Sequence, residues 1–200
     1  MDISRELPAS LRSSKLIVLD RDGVINHDSD SFIKSPDEWR PIDGSLEAIA
    51  KLNFAGYRVV VATNQSGIDR GLFDMRTLNA IHEKMVQMLS PLGGRIDAVF
   101  FCPHSAQAQC ECRKPKPGLF HSIGQRFHVD LTGVPCVGDS LRDLQAAEAV
   151  GGLPILVRTG KGEKTLATGG LPEYTWIFAN LAEVADALLT MGREQNVPAE

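Results

Sequence analysis

Lys15-Leu16-Ile17-Val18-Leu19-Asp20-Arg21-Asp22-Gly23 begins with an apolar run and ends on two carboxylates one residue apart. Short, continuous and apolar, residues 15–20 read as a buried strand. Four later runs share this character: Arg58–Thr63, Asp97–Cys102, Val134–Gly138 and Pro154–Val157. Amphipathic stretches lie between them. Gly44–Ala55 places Leu46, Ile49, Ala50 and Leu52 on one side, with Gly56 as its stop. Met75–Leu89 repeats Leu78, Ile81, Met85 and Leu89 at helical spacing. Pro117–Phe127, Leu141–Val150 and Leu181–Met191 complete the helical set. Strands alternating with helices predict an α/β fold with a central parallel sheet and right-handed crossovers.

The 200 residues suit one domain, which at this size buries roughly 70% of its unfolded surface without help from disulfides. We expect that domain to span residues 15–192, with 1–14 an N-terminal extension and 193–200 a C-terminal tail. Net charge is −4, and two Trp plus two Tyr offer no basic stacking groove, which argues against a nucleic-acid partner. No apolar stretch approaches a membrane span and residues 1–14 carry no signal-peptide pattern, so a cytoplasmic protein is expected. No oligomer signal stands out, and a monomer is expected.

Two stretches interrupt the alternation. Asn26–Pro41 reads as a long polar loop after the first strand, and Pro103–Gly118 as a second loop rich in Cys, Pro and Lys. Both follow strand C-terminal ends, where open α/β sheets bind ligands. A third segment, 159–170, reads as a mobile surface loop. Its Gly160-Lys161-Gly162-Glu163-Lys164-Thr165 lacks the Gly-Lys-Thr order of a phosphate-binding P-loop.

Each strand end carries chemistry. Asp20-Arg21-Asp22-Gly23 alone reads equally well as a turn, and Ile25 at its sixth position excludes an EF-hand. Thr63-Asn64-Gln65-Ser66-Gly67 ends the second strand. Gly138-Asp139-Ser140-Leu141-Arg142-Asp143 ends the fourth, and by itself is a helix start capped by Ser140. Arg113-Lys114 follows the third. In a parallel sheet these ends converge on one edge. Clustered carboxylates repel, so a divalent cation is expected there, and an all-oxygen donor set suits Mg²⁺. A Lys and a Thr hydroxyl facing a metal-bound anion suit phosphoryl transfer to a carboxylate nucleophile.

Four cysteines complete the pattern. Cys102-Pro103-His104 and Cys110-Glu111-Cys112 form C-x-H-x5-C-x-C, three thiolates and one imidazole, a full tetrahedral shell for structural Zn²⁺. Such an ion would anchor the 102–112 loop and aim the adjoining Arg113 and Lys114. Cys136 sits in an apolar strand and reads as core.

The order D-R-D-G, T-N-Q, K-P, G-D-x-x-x-D over about residues 15–160 resembles the haloacid dehalogenase (HAD) superfamily of phosphohydrolases. The resemblance implies a Rossmann-like sheet with no large cap domain and a zinc-loop insert. It implies Asp20 as nucleophile, Asp22 as acid and base, and Thr63 and Lys114 as holders of the transferring phosphoryl. Mg²⁺ would sit among the Asp20 side chain, the Asp22 carbonyl and Asp139, with Asp143 behind. The zinc loop, Ser66-Gly67-Ile68, Arg70-Gly71 and Cys112–Gly118 further resemble the heptose 1,7-bisphosphate 7-phosphatase family, which removes the C7 phosphate on the route to ADP-heptose and lipopolysaccharide core. That family's contacts map to Asn26, His27, Asp28, Asn64, Gln65 and Ser66, with Arg113 for the second phosphate. Histidinol-phosphate phosphatase, with the same zinc loop, is the alternative, although a chain of this length leaves no room for its frequent dehydratase partner. A non-catalytic phosphoacceptor domain is the alternative of another class.

Overall fold

Side chains of β1 (Leu16–Leu19) divide between two apolar layers, Ile17 and Leu19 to one face and Leu16 and Val18 to the other. This two-sided burial explains the unbroken apolar run, because a central parallel strand has helices on both faces. The computed structural model describes residues 15–194, so the predicted extension 1–14 and residues 195–200 of the predicted tail lie outside the described residues.

In chain order the elements after β1 are α1 (Ser45–Phe54), β2 (Arg58–Asn64), α2 (Met75–Leu89), β3 (Ala98–Cys102) and α3 (Gly118–Phe127). Then come β4 (Pro135–Gly138), α4 (Leu141–Glu148), β5 (Leu153–Val157), α5 (Gly162–Thr168), β6 (Trp176–Phe178) and α6 (Leu181–Glu194). The six strands form one parallel sheet in the order β3-β2-β1-β4-β5-β6. α1, α2 and α6 cover one face through Ile49, Leu52, Ile81, Met85 and Val184. α3 and α4 cover the other through Leu119, Phe120, Ile123, Ala146 and Ala147. Cys136 is buried in this second layer.

Strand order reverses between β1 and β4. Chains leaving these neighbours diverge and open a crevice at their C-terminal ends. The backbone N–H of Asp20 donates to Val137 O at 2.8 Å, so the two strand ends that border the crevice are fixed side by side.

The structure bears out one loop and corrects another. Residues 26–41 form the expected loop, with a 3-10 turn at Pro36–Glu38 as its one regular element, and it is anchored: Ile33 and Trp39 are buried and Asn26 bridges to Pro41. Lys84 on α2 clamps it by donating to the carbonyls of Pro36 and Trp39 at 2.6 and 2.9 Å. The 159–170 segment, expected as a mobile surface loop, instead holds α5, whose Thr165 is buried and donates to Asp139 O at 2.8 Å. That helix packs directly over the end of β5. A Cβ on Gly162 would lie 1.8 Å from Val157 O, so only glycine permits the approach. Among the described residues no helix is long and apolar enough to cross a membrane.

Candidate active site

Lys114 is the hub of the crevice. It is 2% exposed, and its ammonium lies 3.1 Å from Asp20 Oδ1 and 2.6 Å from Asp143 Oδ1 while donating to Ala62 O at 2.7 Å. Burial works against its charge, yet Asp143 and Asp20 hold its pKa above the ordinary lysine value. Asn64 fixes its backbone in both directions, donating to Lys114 O and accepting from Lys114 N, each at 3.1 Å. The end of β2 therefore positions a lysine that belongs to the loop after β3.

Three carboxylates share this space. Oxygens of Asp20, Asp139 and Asp143 lie within 4.8 Å of one another. Asp143 caps α4, accepting from Ser140 N at 3.0 Å and from its hydroxyl. Despite burial, Lys114 and then Arg142 hold Asp143 below the usual carboxylate range. Burial, with Asp143 and Asp20 close by, pushes Asp139 up to about 8. Burial also pushes Asp20 up to about 6, against the pull of Lys114. One ammonium for three carboxylates leaves the floor short of positive charge, the condition that a hard divalent cation relieves. Room for it depends on Gly23, at φ +85°, since a Cβ there would lie 2.0 Å from Asp139 Oδ2.

Asp22 is in a different environment. Its Oδ1 accepts from Arg21 Nε at 3.1 Å, Arg21 Nη2 at 3.0 Å and Asn26 Nδ2 at 2.8 Å. Its Oδ2 accepts from Arg21 Nη2 at 3.0 Å and Gln65 Nε2 at 2.8 Å. Burial opposes the charge, but Arg21 and these donors hold the carboxyl below its ordinary value. Gln65 also donates to Thr63 Oγ1 at 2.9 Å, which links the ends of β1 and β2.

Above the floor is a cavity of about 220 Å³. Its walls carry three guanidiniums, Arg70, Arg113 and Arg142, and the Lys161 ammonium. Arg113 donates to His104 O at 3.0 Å, which ties it to the cysteine loop. Burial and the nearby Arg142 both depress its pKa. Arg142 forms no ion pair among the described residues, and its Nε is buried without a hydrogen-bond partner. Lys161 donates its backbone N–H to Asp139 Oδ2 at 2.8 Å, and its ammonium lies 2.7 Å from Asp28.

Next to the cavity, Cys102, His104, Cys110 and Cys112 form a second cluster. Their sulfurs are 3.3–3.6 Å apart, and His104 Nδ1 lies 3.4 and 3.7 Å from two of them. A tetrahedral ion with metal–sulfur bonds of ~2.3 Å wants about 3.8 Å between sulfurs, so the shell is nearly of the right size. All four cysteines of the chain are free thiols.

Comparisons with known proteins agree with this geometry. A family profile described as polynucleotide kinase 3 phosphatase matches residues 15–142, and a HAD-hydrolase-like profile matches 111–184. A D-glycero-β-D-manno-heptose-1,7-bisphosphate 7-phosphatase of Bordetella bronchiseptica is 61% identical over 175 residues, covering 88% of this chain and 98% of that protein. The Escherichia coli enzyme of the same name is 36% identical, covering 94% of this chain and 99% of its own. The crystal structure of the B. bronchiseptica D,D-heptose 1,7-bisphosphate phosphatase complexed with magnesium and phosphate superposes with a TM-score of 0.87 at 60% identity, over 88% of this chain and 98% of that one. The chain belongs to the heptose 1,7-bisphosphate 7-phosphatase family of the HAD superfamily.

Most residues singled out by the heptose bisphosphatase resemblance meet in the crevice. Asp20, Asp22, Asp28, Thr63, Asn64, Gln65, Ser66, Arg113 and Asp139 line the cavity, and Lys114 lies behind its floor. Two do not line it. Asn26 is fully buried and works through Asp22. His27 is exposed, with its backbone N–H donating to Arg40 O at 3.0 Å. Arg142 and Lys161 were missed. Arg142 falls on the first turn of α4, two residues past the cap Ser140, a position from which side chains reach a crevice at the strand ends. Nothing local to the sequence marks Lys161.

Loss of Lys114 leaves two buried carboxylates unpaired. Lys114→Met is expected to cost ~3–5 kcal/mol of stability, read from the midpoint of urea unfolding.

Proposed function

We propose that this chain hydrolyses the C7 phosphate of D-glycero-β-D-manno-heptose 1,7-bisphosphate with Mg²⁺, in ADP-heptose and lipopolysaccharide core biosynthesis. The observation that carries the reading is an acidic floor and guanidinium walls in one cavity, which suits a ligand with one phosphate at the nucleophile and a second at the wall. The high-identity relatives named for the β anomer favour that anomer.

Asp20 attacks phosphorus, and the P–O bond to C7 breaks as the aspartyl-phosphate forms. Asp22 gives its proton to the departing sugar oxygen. It then takes a proton from the water that attacks phosphorus, which releases phosphate and restores Asp20. The low pKa of Asp22 in this arrangement suits the base role, and an arriving phosphate dianion raises it toward the acid role. Thr63 and Lys114 hold the transferring phosphoryl oxygens. The Asp20 and Asp139 carboxylates and the Asp22 carbonyl would hold Mg²⁺, with Asp143 bound instead to Lys114. The ion supplies charge neutralisation and polarises the phosphoryl group. Arg113 and Arg142 grip the C1 phosphate, for which the unpartnered Arg142 Nε is a free donor. The Cys102, His104, Cys110 and Cys112 shell would hold a structural Zn²⁺ that fixes Arg113 and Lys114.

Phosphate release with Mg²⁺ on both heptose bisphosphate anomers and on histidinol phosphate tests the reading. We expect the β bisphosphate to have the highest kcat/KM, and preference for histidinol phosphate would overturn the assignment. Asp20→Asn should abolish turnover, and release that stops near one equivalent in the unaltered protein would mark a phosphoacceptor, not an enzyme. Arg142→Ala should raise KM for the bisphosphate by ~10- to 100-fold while leaving a heptose 7-monophosphate nearly unaffected, since one charged hydrogen bond is worth ~1.5–3 kcal/mol. Cys110→Ser should lose zinc by elemental analysis and also lose turnover; loss of zinc with full turnover would remove the positioning role.

A further inference from the structure

Arg21 is fully buried, although it sits between the nucleophile and the acid–base residue. One edge of its guanidinium, Nε and Nη2, grips the Asp22 carboxylate. The remaining nitrogen, Nη1, points away from the cavity and meets Nε2 of His82 at 3.3 Å. A guanidinium has no acceptor, so His82 Nε2 accepts and the imidazole proton resides on Nδ1. His82 is on α2 beside the fully buried Ile81, and that helix is locked to the sheet face through Leu78, Met85 and Leu89. A line of contacts thus runs from the helix layer through His82 and Arg21 to Asp22.

We propose that His82 is a positioning residue for the reaction, holding Arg21 by its neutral ring nitrogen and thereby setting the placement of the Asp22 carboxylate. This rests on the assignment of Asp22 as acid and base. The chemistry of the acceptor is the reason a histidine suits the position. A carboxylate there would compete with Asp22 for the positive charge of Arg21. An apolar side chain would leave a buried guanidinium donor unsatisfied, at a cost that repacking of Arg21 would relieve. A neutral imidazole satisfies Nη1 and leaves the charge to Asp22. Burial and the adjacent Arg21 cation depress the pKa of His82 to about 4, so it stays neutral at physiological pH. Asn26 and Gln65 hold the two carboxylate oxygens from the opposite side, so a shift of Arg21 turns the carboxylate within a frame that otherwise stays put.

The test uses the full chain with Mg²⁺ and two substrates, heptose 1,7-bisphosphate and an activated aryl phosphate. Protonation of the leaving oxygen matters for a sugar alkoxide and little for a phenolate that departs unaided. His82→Leu should lower kcat/KM for the bisphosphate by ~10-fold, part of the ~10²–10⁴ that a placed general acid supplies, and change the aryl phosphate less than twofold. His82→Gln, which restores a neutral acceptor, should recover most of the loss. Both replacements suit a partly buried helix position and should fold. Equal losses on the two substrates, or no loss on either, would overturn the inference. Asp22→Asn is measured alongside and should show the same substrate pattern more strongly. If Asp22→Asn is inactive on the bisphosphate while His82→Leu is normal, only the role of His82 fails. If Asp22→Asn retains full turnover, the acid–base assignment itself fails.

Discussion

The Lys114 ammonium between Asp20 and Asp143 is the interaction on which the rest of the site depends. It joins three elements that are distant in sequence: the end of β1, the loop after β3 and the first turn of α4. An isolated buried lysine would lose its proton, and isolated buried aspartates would gain one. Held together, all three remain ready for chemistry, and the lysine also donates to Ala62 O. Asn64 fixes the backbone of Lys114 in both directions, so the length of a flexible side chain does not become freedom at the site.

Charge is graded across the crevice. The floor has an excess of carboxylates, and the walls have an excess of guanidiniums that repel one another. Neither half is at rest alone. A cation would relieve the first and a phosphate the second, which is the combination that the proposed metal and sugar bisphosphate would bring. Asp22 is set apart from both by its own arginine. Its environment favours the charged form where the burial of Asp20 and Asp139 favours the neutral one, so neighbouring aspartates of the same chemical type differ in charge.

Legibility in the sequence followed the range of the determining contacts. Five of the six strands, five of the six helices and the strand-end motifs could be read because periodicity and short spacings are local properties. Cys102-Pro103-His104 and Cys110-Glu111-Cys112 could be read because a tetrahedral shell needs four donors that a short loop can bring together. The 26–41 segment reads as a loop and is one, but its anchoring is not legible, since Ile33 and Trp39 join a core shared with distant helices and Lys84 of α2 donates to its carbonyls. Residues 159–170 were misread because α5 depends on Gly162 passing under the Val157 carbonyl, a contact with no helical period to reveal it. His27, mapped by the family resemblance to the start of the loop beside the nucleophile, is exposed and does not line the cavity.

The sequence by itself determined the α/β class, the order of the elements and the residue types that end each strand, because these follow from hydrophobic period and from side-chain chemistry at fixed spacing. Tertiary structure alone decided which side chains share a dielectric environment. It set Lys114 between two carboxylates, left Arg142 Nε without a partner, brought Lys161 to Asp28 and Asp139, and placed His82 behind Arg21. The physical reason is that burial and electrostatic coupling act over a few ångströms in space, and those distances are fixed only when the sheet reverses its strand order and draws separate loops into one crevice.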